Sequence, residues 1–293
     1  MSNIKVAWIP PIPHNRAESS PDIRLVLGHE LIGSSDYVAS LLPSPEKSWT
    51  ILDNGAHEQR DSITTVELDA LAGLIRADEV VAPDSLFSFE KTLYRSRQFI
   101  RGLTPETQFR SVMVVPQGLN PKEWLECLKG LLEEASRSTW GGSFTLGISK
   151  DYDSHPSFPG GLISLLTTPG LEGLLGTFPI HLLGWPRNLW TPSMILSYFE
   201  DSNIVIRSID TAKPFVYALH EVDIATPLLE RGTIPEYPHR KPNYFSDTMT
   251  EGQTLLARKN RDALLWTLTG PHRPYEFSHQ WITGAQRFSG FHR

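Results

Sequence analysis

Short apolar runs recur along the chain, and each is followed by a polar or glycine-containing turn and then by a stretch with helical spacing. Runs that are short, apolar and partly β-branched are typical of parallel strands buried on both faces. We expect an eighth strand around residues 215–219. The seven clearest runs are 6–9, 49–52, 79–82, 112–115, 144–147, 180–183 and 204–206.

Helical patterns separate these runs. One covers residues 64–75, and another covers residues 121–135, opening with Pro121 and carrying apolar residues at helical spacing. No Gly-x-Gly-x-x-Gly follows the first strand, which argues against an open nucleotide-binding sheet. The pattern predicts an α/β protein, a (β/α)₈ TIM barrel, formed as a single domain by residues 1–293.

Composition adds few constraints. Hydrophobic residues make up 40% of the chain and charged residues 20%, as in ordinary globular proteins. No segment has the length and apolar character of a membrane span, and no basic stretch precedes an apolar run at the start. Cys127 is the single cysteine, expected to be a small core thiol, so we expect no disulfide and no multi-cysteine zinc site. These features favour a cytoplasmic protein without a cofactor.

Charge is unevenly distributed. The net charge is −6, yet residues 232–293 hold 8 Lys+Arg and 5 Asp+Glu, a balance of +3 against −9 for the remainder. The same segment carries several aromatic residues beside its basic cluster at 258–261. We interpret it as a mildly basic, aromatic segment that packs on the barrel and that is a candidate for contact with nucleic acid.

Candidate chemistry gathers at the predicted strand ends, where the active site of such a barrel lies. Three carboxylates and a glutamine follow predicted strands, together with several glycines. Two carboxylates facing each other can perform glycosidic chemistry, one attacking the anomeric carbon and the other transferring a proton. A third carboxylate beside a glutamine suits a guanine-like base, whose adjacent N–H donors and O6 acceptor they complement. The strand-end segments are 53–58, 83–84, 116–118, 147–149, 184–185 and 209–211.

These segments resemble the queuine/archaeosine tRNA-guanine transglycosylases, and most of all their relatives that act on DNA, the 7-deazaguanine DNA transglycosylases of phages and bacterial islands. The resemblance covers about residues 49–213, with six weak motifs in the family's order. It implies catalytic roles for Asp210 as covalent nucleophile and Asp53 as general acid/base. It implies base-binding roles for Asp84, Gln117, Gly118, Gly147, His57, Leu183 and Gly184, with His57 stacking on the base and Leu183 covering its other face.

The chain departs from the family in two respects. It lacks the cysteines of the tRNA enzymes' zinc subdomain, so residues 214–293 must be built differently. At residues 55–56 it has Gly-Ala where the family has two glycines, and Glu58 stands in place of a glutamine. The resemblance implies exchange of guanine in DNA for a free 7-deazaguanine base, which would protect DNA such as a phage genome from restriction.

Other interpretations remain open. The polymer could be tRNA, or the chain could be a retaining glycoside hydrolase or a non-catalytic nucleic-acid-binding barrel. Each candidate also has a structural alternative: Asp84 and Asp210 could cap the elements that follow them, and Asp53 could stabilise the Asn54–Gly55 turn. His57 could be a loop histidine, and Trp185 could be packed at the rim or could contact nucleic acid.

Overall fold

The computed structural model describes residues 4–18, 22–42, 48–59, 62–184, 199, 204–231 and 244–269, without the side chains of 58, 59, 229–231 and 269. Eight strands form one sheet in the order β1-β8-β7-β6-β5-β4-β3-β2, and every hydrogen-bonded pair is parallel. The strands are β1 Lys5–Trp8, β2 Ile23–Leu27, β3 Trp49–Asp53, β4 Glu79–Val81, β5 Ser111–Val114, β6 Ser143–Ser149, β7 Ile180–Leu183 and β8 Ile206–Thr211.

The sheet curves into a nearly closed barrel, because β1 and β2, at the two ends of this order, also lie against each other. Helices lie between the strands, so the predicted (β/α)₈ barrel is confirmed. They are α1 Asn15–Glu18, α2 Gly28–Gly33, α3 Ser35–Leu41, α4 Ala56–Gln59, α5 Thr65–Ile75, α6 Phe89–Arg101, α7 Pro121–Arg137, α8 Gly161–Leu166, α9 Glu172–Leu175, α10 Lys213–Leu219, α11 Ala225–Arg231 and α12 Glu251–Thr269. Short 3₁₀ helices cover Ile12–His14, Lys150–Asp153 and Tyr244–Ser246.

The eighth strand was predicted in the wrong place. Residues 215–219 form most of α10 and are all buried, and the strand that completes the barrel is β2. A short, wholly buried apolar run has no periodicity that separates helix from strand, and Pro214 at the first turn favours the helix. The last predicted strand, 204–206, is also misplaced, since β8 runs from Ile206 to Thr211 and includes Asp210.

The two predicted helices form with defined ends. Thr64 caps α5 in a capping box with Glu67, in which each side chain bonds the other residue's backbone N–H. Asn120 caps α7 by accepting from the N–H of Glu123, and Pro121 occupies the first turn. Cys127, on the buried face of α7, is the expected core thiol. None of the helices in the described ranges is long and apolar enough to cross a membrane.

Part of the basic C-terminal segment packs on the body as expected. Helix α12 lies against α10 and α11. Its cations pair with body carboxylates: Arg258 and Arg261 with the buried Glu18, and Lys259 with Asp223. Because these pairs engage the basic cluster, little of its charge remains for a phosphate. The rest of the segment, 232–243 and 270–293 with most of its aromatic residues, lies outside the described residues, as does Trp185.

Candidate active site

The barrel interior can be identified from a contact that crosses it. Arg207 on β8 and Glu79 on β4 approach to 2.8 Å between Nη2 and Oε2, although their strands lie four places apart in the sheet. Side chains alternate between the two faces of a strand. Trp49 on β3 donates to the same Glu79 carboxylate and therefore faces the interior. Asp53 lies four residues later on β3, so it faces the same side, at the carboxyl end of the strand.

Strand β8 contains a β-bulge at Arg207. Ile180 of β7 pairs with Ile206 and His181 pairs with Ser208, so Arg207 is an extra residue on β8. A bulge changes the alternation locally, and the Arg207 guanidinium Nε contacts the Ser208 hydroxyl at 3.1 Å. Above the bulge the pairing is regular again, and Asp210 follows Ser208 on the inner face.

Asp210 is held through one of its two carboxylate oxygens. Its Oδ1 lies 3.0 Å from His181 Nε2 and accepts the backbone N–H of Gly184 at 2.8 Å. The residue is 5% exposed, and His181 is fully buried. No described residue donates to the other oxygen, Oδ2. One oxygen is therefore fixed, and the other keeps its lone pairs.

The hydrogen bonds leading to Asp210 are consistent with donation in one direction, from Arg207 toward the carboxylate. Arg207 can only donate, so Ser208 Oγ accepts from it and has its own proton for His181 Nδ1, 2.7 Å away. A neutral His181 then carries its proton on Nε2 and donates it to Asp210. With Asp210 as an anion, the side chains of Ser208, His181 and Asp210 each have a hydrogen-bond partner in this chain.

A second network surrounds Asp84, which is 3% exposed and follows β4. Its Oδ1 accepts from Asn54 Nδ2 at 2.7 Å, and its Oδ2 accepts from Gln117 Nε2 at 2.6 Å. Asn54 also donates to the carbonyl of Ala82. The structure thus brings together Asp84 and Gln117, which were both predicted base-binding residues, and adds Asn54, which was not predicted.

Hydrogen bonds to their oxygens fix the orientation of the Gln117 and Asn54 amides. Gln117 Oε1 accepts the Tyr152 hydroxyl at 2.6 Å and the N–H of Phe87 at 3.1 Å, so its amino group must point to Asp84. Asn54 Oδ1 accepts the N–H of Ala56, with the same result for its own amino group. Phe87 has a φ of 58°, a left-handed conformation that costs a non-glycine residue about 1 kcal/mol or more.

Burial raises the pKa of Asp84 to about 6, against the lowering effect of the hydrogen bonds from Asn54 and Gln117. A carboxyl with this pKa titrates just below neutrality. Perturbed carboxyl groups are concentrated at functional sites, although structural networks also produce them.

Asp53 is the last residue of β3 and is half-buried. Its Oδ2 accepts the N–H of Gly55 at 3.0 Å, and Gly55 has a φ of 74°. This is the turn role expected as the structural alternative for Asp53. Its position at the mouth of the barrel is shared with Asp210, on β8.

The other predicted residues have varied surroundings. Gly118 donates its N–H to the Tyr152 hydroxyl at 3.1 Å, within the Asp84 network. Gly147 lies inside β6, where a Cβ would meet Met113 and Val115 at 2.8 Å. Leu183, half-buried, ends β7.

His57 stands apart from the two networks. It is 52% exposed and contacts Asp151 at 2.9 Å. Burial raises the pKa of Asp151, but the hydrogen bond and charge of His57, with Lys150 and Ser149, outweigh it and leave this pKa below its ordinary value. Lys150 in turn lies beside Gly184, where its Nζ is 2.8 Å from the position of a Cβ.

The mouth therefore holds two separate networks. In the described part of the chain no hydrogen bond joins the Asp84 network to the Asp210 network. Across those same residues, no three His, Cys, Asp or Glu side chains converge as a metal site would require. A cavity of about 290 Å³ lies at the opposite, amino-terminal mouth, lined in part by Lys5, Trp49 and Arg207.

Comparison with known proteins adds little. No family model matches the chain, and no curated protein matches it. Among solved structures it is similar to one described as the crystal structure of GH5_18 from Streptomyces cattleya in complex with GlcNAc. That likeness has 12% identity and a TM-score of 0.39, covering 93% of this chain and 82% of the other. A likeness at this level carries no functional argument, and the barrel assignment rests on the sheet itself.

Proposed function

We propose that this protein is a transglycosylase that replaces guanine in DNA with a free 7-deazaguanine base through a covalent intermediate on Asp210. The observation that supports it best is the asymmetry of the Asp210 carboxylate. Oδ1 is held by His181 and Gly184, and Oδ2 accepts no hydrogen bond from any described residue. A positioned anion with an unengaged oxygen, 5% exposed at a barrel mouth, suits a nucleophile.

The proposed reaction is a double displacement. Asp210 Oδ2 attacks C1′ of the target nucleoside, the bond from C1′ to N9 of guanine breaks, and the leaving base takes a proton from Asp53. The incoming base gives its N9 proton to Asp53 and attacks C1′. The bond from C1′ to Oδ2 then breaks, and its electrons return to Asp210. Two inversions retain the β-configuration.

Base selection is assigned in this proposal to Asp84 and Gln117. Both have hydrogen-bonding capacity left: each Asp84 oxygen accepts one bond, and Gln117 Nε2 has a second N–H. These groups complement the adjacent donors and the O6 acceptor of a guanine edge. The N–H groups of Gly118 and Gly184 are already donated to Tyr152 and Asp210, so these two glycines would contact the base through other backbone atoms. Gly147 would also contribute a backbone contact, His57 would stack on the base, and Leu183 would cover its other face.

DNA is the proposed polymer because the chain lacks the cysteines of the zinc subdomain found in the tRNA enzymes it resembles. The target nucleotide must leave its stack to bring C1′ to Asp210, which costs a few kcal/mol in a duplex. A 7-deazaguanine lacks the N7 acceptor of the major groove, so it would protect a genome, such as a phage's, from endonucleases that read this atom. Other enzymes would supply the modified base.

The substrate test offers radiolabelled guanine with DNA, with tRNA and with an oligosaccharide in separate reactions. Label in DNA supports the proposal. Label in tRNA alone would change the polymer, and release of reducing sugar from the oligosaccharide would indicate a glycoside hydrolase. Mass spectrometry of nucleosides from cells that express the protein and are supplied with a deazaguanine identifies the base incorporated.

The catalytic test is Asp210→Asn, which should reduce exchange by roughly 10⁴-fold or more. The amide oxygen can still accept from both His181 and Gly184, so the unfolding free energy should stay within about 1 kcal/mol of wild type. Asp69→Asn, on the exposed face of α5, makes the same change away from the mouth and should leave exchange unchanged. Wild-type exchange by Asp210→Asn would refute the proposal.

A further inference from the structure

A series of buried polar side chains leads to Asp210, beyond the two contacts that its carboxylate makes. It begins at Glu79, whose carboxylate pairs with Arg207 at 2.8 Å, and it continues through Ser208 to His181. Glu79, Ser208 and His181 are fully buried. The guanidinium only donates, so Ser208 accepts from it. The assignment in which Ser208 donates to His181, and His181 donates to Asp210 Oδ1, then gives each of these groups a partner.

We infer that His181 is a positioning residue that holds Asp210 as a carboxylate and stabilises it when it leaves the sugar. This inference rests on the proposed function. In the covalent intermediate the ester forms through Oδ2, so Oδ1 becomes its carbonyl oxygen. The two donors on Oδ1, from His181 and Gly184, then face the oxygen that regains negative charge as the bond from C1′ to Oδ2 breaks.

The second half of the exchange is therefore the half that depends most on His181. Attack by Asp210 spreads charge away from the carboxylate, and donors on Oδ1 assist it little. Departure returns the electron pair to the carboxylate, and the same donors assist it directly. Ser208 contributes by donating to Nδ1, which keeps the His181 proton on Nε2.

The first measurement needs no substrate. In ¹⁵N-labelled wild-type protein, two-bond ¹H–¹⁵N correlation spectra report which ring nitrogen of each histidine is protonated. The His181 signals are those that disappear in His181→Phe. We expect a neutral ring protonated on Nε2. A ring protonated on Nδ1, whether neutral or cationic, would overturn the inference, since Ser208 would then no longer be the donor.

The second measurement follows the intermediate. His181→Phe keeps a planar ring without a donor, and the loss of the adduct should slow about 100-fold, by analogy with removal of one oxyanion donor. Adduct between protein and DNA should then accumulate on denaturing gels. His181→Gln, whose amide can donate to Asp210 and accept from Ser208, should restore turnover in part. Unchanged adduct levels and rates in His181→Phe would overturn the role in departure.

The two measurements separate the failure of this inference from that of the proposed function. If wild-type protein exchanges no base on any polymer, the proposed function fails and with it the role in departure, whereas the spectra still decide whether His181 holds Asp210 as an anion. If His181→Phe does not fold, the spectra of Ser208→Ala replace it, because loss of the Ser208 donor should change the Nδ1 shift of a single histidine.

Discussion

Asp84 and Asp210 lie on different sides of one barrel mouth, and each ends a chain of buried donors. At Asp84 the two donors are divided, one on each oxygen, and both come from side-chain amides whose orientation is fixed elsewhere. At Asp210 both donors lie on a single oxygen, and one of them is a backbone N–H. The two carboxylates are similarly buried, at 3% and 5% exposure.

Two carboxylates buried to the same degree can therefore be held in two different ways. At Asp84, donors on both oxygens link the ends of β3, β4 and β5. The Asp84 network therefore stabilises the barrel mouth, whether or not it also binds a ligand. Donors gathered on one oxygen fix the orientation of Asp210 and leave its other oxygen without a donor among the described residues. Substitutions in each network can test this contrast.

Asn54→Asp should produce the largest loss of stability. The new oxygen would face Asp84 Oδ1 and the carbonyl of Ala82, both 2.7 Å from the present amino group. An uncompensated buried charge costs about 3–5 kcal/mol, which urea denaturation should detect as a lower unfolding free energy. Asn120→Asp makes the same change at the N-cap of α7, where Asp is also favoured. It replaces a partly exposed hydrogen bond to Glu123 by a like-charge contact, and should cost about 1 kcal/mol, well below the buried change. Equal stability of the two variants would contradict the assigned direction of the network.

The pH dependence of stability should contain a contribution from Asp84. The folded carboxyl keeps its proton up to about pH 6, whereas the unfolded one loses it near 3.8. The folded state therefore binds more protons between these values, and the unfolding free energy falls as pH rises through them. A shift of about 2 units corresponds to about 3 kcal/mol. Asp84→Asn cannot titrate, so the stability of wild type relative to this variant should decline by up to about that amount between pH 4 and pH 7. Parallel curves would show that Asp84 has an ordinary pKa.

Gly184→Ala tests the Asp210 side with a smaller effect. Gly184 has a φ of 68°, and a Cβ there would meet Lys150 at 2.7 Å. Gly170→Ala is the matched control, with a φ of 83° and no neighbour within 4 Å. Both variants should lose about 1 kcal/mol from backbone strain. In Gly184→Ala the flexible end of Lys150 must also move aside, so the further loss in urea denaturation should stay below about 1 kcal/mol. If the proposed function holds, strain at the Gly184 N–H should slow base exchange about tenfold. Identical behaviour would mean that the Gly184 loop adapts without moving its N–H.

The sequence predicted the parallel barrel because buried strands and capped helices leave strong local patterns. It also predicted Asp84 and Gln117 as neighbours, and the structure joins them at 2.6 Å. The eighth strand was misassigned because 215–219 is apolar on every side. His181 and Tyr152 were missed since a polar residue inside an apolar run looks like part of the core. Only the bulge and the inward alternation reveal that His181 faces Asp210.

The extra residue in β8 has a consequence for how such a site could change in descent. Ile206 pairs with Ile180 and Ser208 pairs with His181, so loss of Arg207 alone would leave a regular ladder with Ser208 still opposite His181. The carboxylate, the imidazole and the hydroxyl would keep their positions, and only the cation beneath them would disappear. A one-codon insertion or deletion could therefore add or remove the terminal donor of this chain without altering the alignment of any residue above it.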